Sequence, residues 1–269
     1  MVYVPIQAKV GATTMAIHFY KKVNSKVVMI MSKATQTMPE ANTVNIFTEL
    51  TMDPANDHEY VDLGLSVKWA SMNVGATAPQ DYGFYIMWGE RSERSERDYD
   101  WSTYKYCYYS DYAMTKYCVT DGRGYQGFKD GKTILDPADD IATASWGGAW
   151  RTPTQAEAQE LVNNCTWIWT ENYNSTGING YTIKSNVAGY QEKSIFLPAA
   201  GYRLSDQSEG VQGASFRGDY WTSSLDEELS YQAWGFGFYY RPDEHDINYG
   251  AGRSYYRCDG HSVRPVLND

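Results

Sequence analysis

Several features are missing from this sequence, and each absence excludes a class of function. No run of 18 apolar residues occurs, the length a helix needs to cross a bilayer, so no membrane insertion is expected. Basic residues are in the minority: 23 Lys and Arg against 33 Asp and Glu leave a net charge of −10. A phosphate backbone repels such a chain, so nucleic acid is not an expected partner. Cysteine is sparse. Cys107, Cys118, Cys165 and Cys258 contain no CxxC pair and read as free thiols rather than staples, with a Cys107–Cys118 bridge left open. The opening residues, MVYVPIQAKVGATTMAIHFYKK, lack a basic start followed by an apolar stretch, so no secretory signal is visible; a signal already removed stays open.

Catalytic and cofactor motifs are missing as well. There is no GxSxG elbow and no HExxH. His18, His58, His245 and His261 have no recognisable nucleophile beside them. That weighs only lightly against an enzyme, because a fold can assemble a site from distant residues. GRGYQG at 122–127 fits GxGxxG, but FKDGKTILDP follows it and cannot form the helix that a dinucleotide site requires. A glycine-rich turn is the better reading, and no cofactor is expected. The tripeptide RGD at Arg217–Asp219 precedes Tyr220 and Trp221, which read as core, so chance accounts for it. DEHD at Asp243–Asp246 has neither EF-hand nor zinc spacing and reads as a solvated acidic loop, not a metal site.

What is present is aromatic. Twenty-four tyrosines, 9 tryptophans and 23 glycines suit a loop-rich, β-containing protein. Residues 1–52 carry β-branched runs (VYVPIQAKV, MAIHFYKKV, KVVMIMSKATQTM, TVNIFTEL) and read as a small β-rich module for attachment or oligomerisation. A turn-rich joint, DPANDH, follows at 53–58. From 59 to 269 the chain reads as one α+β domain. Two helices are signposted. Asp136 is the expected N-cap of DPADDIATASWGG, with Pro137 at the first position and Gly147 as the stop. Thr154 and Glu157 form a capping box, with Ala158, Leu161, Val162 and Cys165 on one face. RSERSERDYDWSTYKYCYYSDY reads as a long surface loop. Expected strands include GYTIKS, SIFLPAAGYR, DYWTSS, AWGFGFYY and HSVRPVL.

Six ordered blocks carry a resemblance: EYVDLGLSVKWASMNVG, DYGFYIMWGE, DGKTILDPADDIATASWGGAWRTPTQAEAQELVNNCTW, SIFLPAAGYR, YWTSS and SVRPV. Together they resemble the Fibrobacter succinogenes major paralogous domain of Bacteroidetes and Fibrobacter, which is similar in fold to C-type lectins and formylglycine-generating enzymes. The ending AWGFGF…RCDGHSVRPV further resembles the variable proteins of diversity-generating retroelements, which include phage receptor-binding and bacterial surface proteins. The resemblance implies a C-type lectin-like domain with a variable segment at about 231–261. In that family a reverse transcriptase randomises adenines, often in AAC or AAT codons, which cannot become Lys, Met, Trp, Gln or Glu. From Tyr239 to His261 there is no Lys, Met, Trp or Gln; Glu244 is the one exception.

The implied binding surface comprises Tyr231, Gly235, Gly237, Tyr239, Tyr240, Arg241, Asp243, His245, Asp246, Asn248, Tyr249, Arg253, Tyr255, Tyr256, Cys258, Asp259 and His261. Its tyrosines would anchor a target at little entropic cost, as in antibody paratopes. Strand alternation places Trp234, Phe236 and Phe238 inward and Gly235 and Gly237 outward; Val263 and Val266 are expected to pack inward. The EPN, QPD and WND motifs of calcium-dependent sugar binding are absent, so neither calcium nor carbohydrate follows from the fold. The oxidase relatives' cysteine pair is absent too. The implied function is a non-enzymatic binding protein with a protein or glycan target on a cell surface, located on a phage tail or cell surface and displayed as a homo-oligomer or on a larger assembly. The alternatives are a non-diversified adhesive or structural surface domain and, third, an enzyme with an unrecognised site.

Overall fold

The computed structural model describes residues 14–23, 26–37, 58–204, 210–241 and 246–268, with backbone alone for 14–37, 241 and 246–248. Two compact units divide the chain, Met1–Asp57 and His58–Asp269. In the first, β1 (Thr14–Val23) and β2 (Lys26–Thr37) form an antiparallel hairpin. The runs VYVPIQAKV and TVNIFTEL lie outside the described residues.

The second unit is α+β, with two short α-helices and three antiparallel sheets among its described residues. The first sheet orders β3 (Tyr60–Val61), β4 (Lys68–Ala70), β12 (Val266–Leu267) and β5 (Trp150–Arg151) as β3-β4-β12-β5. Val266 thus pairs with both Trp69 and Arg151, joining the two ends of the unit. The second contains β6 (Cys165–Thr170), β7 (Gly180–Ser185) and β8 (Ser194–Pro198) in chain order. The third runs β11-β10-β9, from β9 (Arg217–Leu225), β10 (Gln232–Arg241) and β11 (Asp246–Tyr256).

Helix α2 (Gln155–Asn164) begins at the expected capping box: Thr154 Oγ1 accepts from Glu157 N at 3.3 Å, and Glu157 accepts from Thr154 N at 2.8 Å. The helix packs against the third sheet. Its Ala158 and Leu161 are buried with Cys165, Trp167, Tyr181, Phe236, Phe238 and Ala251 in the main core. Helix α1 (Ile141–Trp146) corrects one expectation. Its N-cap is Asp140, not Asp136, which instead precedes a 3-10 turn at Pro137–Asp139. The Asp140 carboxylate accepts from Ala142 N and Thr143 N, and also from Thr152 N and Oγ1. Four donors hold it there, two of them a dozen residues away in sequence. Gly147 ends the helix as expected, at φ 69°.

The tyrosine-rich loop is only partly on the surface. Tyr99, Tyr104 and Tyr106 are buried, which corrects the reading of 91–112 as a surface loop. At 122–127 the chain makes a turn with Gly122 and Gly127 both at positive φ. All four cysteines are free.

Candidate functional site

The site is built on the third sheet, and two buried arginines fix its frame. Both are fully buried. Arg264 donates to Asn73 Oδ1 (2.8 Å), Ala70 O (3.0 Å) and Phe196 O (2.9 Å). Burial lowers its pKa to about 10, so it stays charged at neutral pH. Its neighbours Val263 and Val266 are buried as expected. Arg257 follows β11 directly. It donates to Tyr104 Oη (2.9 Å), Tyr117 O (3.0 Å), Ser230 O (2.7 Å) and Lys116 O (3.0 Å). Its guanidinium lies over the Trp88 ring. Buried carbonyls must be paired, and each arginine satisfies several from separate segments.

On β10, Phe236 and Phe238 fill the core, while Trp234 is only half-buried. Gly235 and Gly237 take the opposite face but are not exposed, which corrects their assignment to the surface. A Cβ on Gly235 would lie 2.7 Å from the Tyr255 ring; on Gly237 it would meet Gly218 O at 2.6 Å and Asp219 Oδ1 at 2.7 Å. Both glycines let Tyr255 and Asp219 pass close to the backbone. Tyr255 donates to Asp219 Oδ1 at 2.8 Å, and Arg217 Nε pairs with Asp219 Oδ2 at 2.7 Å. Burial raises the Asp219 pKa although Arg217 opposes it. The RGD aspartate is thus wholly buried.

These groups border an open pocket of about 410 Å³, lined by Tyr202, Leu204, Arg217, Gln232, Ser254, Tyr255, Tyr256, Asp259 and His261. Arg217 lies over the Tyr202 ring at 4.2 Å, and Ser254 Oγ donates to Gln232 Oε1 at 2.7 Å. His261 is wedged between Trp221 and Tyr255, at ring distances of 4.4 and 4.5 Å. Among the described residues neither of its nitrogens has a hydrogen-bond partner, and burial holds its pKa well below 6.5. Mixed charge, a neutral imidazole and tyrosine walls suit binding of a polar group. Tyr255 Oη is already engaged with Asp219, and burial raises the Cys258 thiol, so neither group is an activated nucleophile.

The structure sorts the expected surface residues into three sets. Tyr256 is exposed and Tyr231 half-buried, and their rings stack at 5.9 Å; Tyr239 packs edge-on to Phe216, and Arg253 is half-buried. Tyr240 stacks on Trp169 at 4.2 Å and Tyr249 on Trp167 at 4.9 Å. Those two half-buried rings bind the sheets to one another. Cys258, Asp259 and His261 are buried at 1%, 6% and 1% exposure; as freely exposed positions they are corrected, although Asp259 and His261 line the pocket. Asp243 and His245 lie outside the described residues, as do the side chains of Arg241, Asp246 and Asn248.

Sequence reasoning missed Arg217, Asp219, Tyr202 and Gln232. The i, i+2 spacing of Arg217 and Asp219 on a strand placed both on one face and was the available signal. Among the described residues no group of three His, Cys, Asp or Glu is placed to hold a metal ion, and no helix is long and apolar enough to cross a membrane. No family model matches the chain, and neither a curated protein nor a solved structure matches it.

Proposed function

We propose that the chain is a non-catalytic binding protein whose C-terminal face, on a C-type lectin-like domain, is diversified by retroelement-directed adenine mutagenesis. The observation that carries this reading is the pairing of a locked frame with rings that reach the surface. Phe236, Phe238, Ala251, Arg257 and Arg264 are buried, while the exposed Tyr256 lines an open pocket and the half-buried Tyr231 stacks on that ring. Such a frame tolerates change at the emerging positions, because surface substitutions away from packed features cost little. The α+β build, with two short helices, short antiparallel strands and long loops, supports the lectin-like reading.

The target is a protein or glycan on a cell surface, and the chain sits on a phage tail or on a bacterial cell. The first unit attaches it to an assembly, where avidity strengthens weak single sites. The DNA flanking the gene tests this cheaply. A near-identical repeat with adenines at the variable codons, next to a reverse transcriptase gene, is the expected finding. Its absence sinks the diversification and leaves a constant adhesive domain.

A further inference from the structure

The loop at 107–125 bears a second aromatic surface, outside the segment of about 231–261. Tyr108, Tyr109 and Tyr112 are 55%, 68% and 62% exposed. Monomeric proteins seldom leave large rings bare in a cluster without using them. Here the rings touch in sequence: Tyr109 meets Tyr108 at 5.0 Å, and Tyr108 meets Tyr125 at 4.7 Å. Arg123 then lies between two rings, 4.0 Å from Tyr112 and 4.1 Å from Tyr231. Tyr231 stacks on Tyr256. The one loop thus carries two ring groups, Tyr109–Tyr108–Tyr125 and Tyr112–Arg123, and the second reaches the sheet's rings through Tyr231; together they make the ledge.

The ledge is held, not loose. Tyr108 N donates to Ala113 O at 2.8 Å, Met114 N to Arg123 O at 2.8 Å and Tyr125 N to Met114 O at 2.9 Å. Arg257 ties the carbonyls of Lys116 and Tyr117 to the end of β11. Tyr109 sits at φ 57°, a conformation that a bulky residue rarely adopts and that marks stored strain. A rigid, exposed, tyrosine-rich surface loses little entropy on binding.

Its chemistry selects a partner. Neighbouring rings meet edge-on or tilted, at 66° and 34°, so they offer no single flat plane for stacking. Around them lie Asp111, Asp121, Glu227 and Glu228, against Arg123 and Lys129; Thr120 Oγ1 bonds Glu228 O at 3.2 Å and brings the last pair alongside. That rim is net negative. Tyrosine faces attract cations, and Arg123 between Tyr112 and Tyr231 already shows the geometry. We infer that the loop's rings are a constant half of the binding surface, set beside the variable rings of Tyr231 and Tyr256, and dock a protein segment that presents arginine or lysine. This deepens the binding reading above and rests on it.

The test uses the full chain and two peptides, one alternating glycine with arginine and one alternating glycine with glutamate, titrated at low ionic strength. The arginine peptide is expected to bind and to shift the resonances of Tyr108, Tyr109 and Tyr112. The triple variant Tyr108→Ser, Tyr109→Ser, Tyr112→Ser keeps every charge and should lose about tenfold in affinity, with unchanged thermal unfolding. Tyr60→Ser, which removes an exposed ring on the first sheet, should bind like the parent. Equal affinity in parent and triple variant, or equal binding of the glutamate peptide, overturns the ledge. Loss confined to a further variant, Tyr239→Ser, also overturns it and leaves the binding reading on the sheet face standing.

Discussion

Residues 249–256 and residues 257–266 are consecutive in the chain and opposite in what they do. The first stretch is mixed in exposure: Tyr249 and Ala251 turn to the core, while Tyr256 is 49% exposed. The second stretch is buried throughout, and two of its polar groups, Arg257 and Arg264, are cross-links. Both stretches look equally polar as sequence. The difference teaches that an irregular composition does not by itself mean a surface. A buried arginine that gathers carbonyls is as much a part of the frame as a phenylalanine.

The largest break in this contrast should come from Arg264→Leu. It leaves Ala70 O, Phe196 O and Asn73 Oδ1 without their donor, and a loss of about 3 kcal/mol or more is expected. Denaturant unfolding checks it. Gly237→Val is next, because its Cβ lands within 2.7 Å of Gly218 O and Asp219 Oδ1. About 1–3 kcal/mol is expected from that overpacking, with Tyr255 displaced, as a change in its ring resonances would show.

His261 sharpens the contrast through pH. Burial holds its folded pKa well below 6.5, so below pH 6.5 the unfolded chain takes up a proton that the folded chain does not. Stability should therefore fall as pH drops through 6.5, by up to about 1.4 kcal/mol per pH unit from this residue. Asp219, with its raised pKa, acts with the opposite sign above 3.8. His261→Phe should remove the histidine's share of the acid slope in urea unfolding measured across pH 5 to 7 (a range chosen around its roughly 6.5 reference value). An unchanged slope would mean that the imidazole is open to solvent. The smallest effect belongs to Tyr256→Ser, within about 0.5 kcal/mol of the parent; a larger loss would place Tyr256 in the frame.

Local chemistry made part of this legible. The capping box at Thr154 and Glu157 works within one turn, so the sequence alone located α2. Asp140 was missed because DPADD offers several carboxylates in a row, and the deciding donors come from Thr152. Strand β11 was hidden because its pairing with β10 shifts register between Gly235 and Gly237, which breaks the alternation that a strand would show. The roles of Arg257 and Arg264 depend on carbonyls up to 194 residues away, beyond the reach of any local pattern. Tyr255 and Tyr256 are adjacent and alike in sequence; only the fold sets one over Asp219 and the other at the edge.

The most direct measurement is to sequence the coding region for residues 231–266 in many individual copies from one natural population. The account predicts substitutions at adenines of exposed and half-buried positions such as Tyr231, Tyr239, Arg253 and Tyr256, and none at Arg257, Cys258 or Arg264. An invariant segment, or variation spread equally over those buried positions, would contradict it.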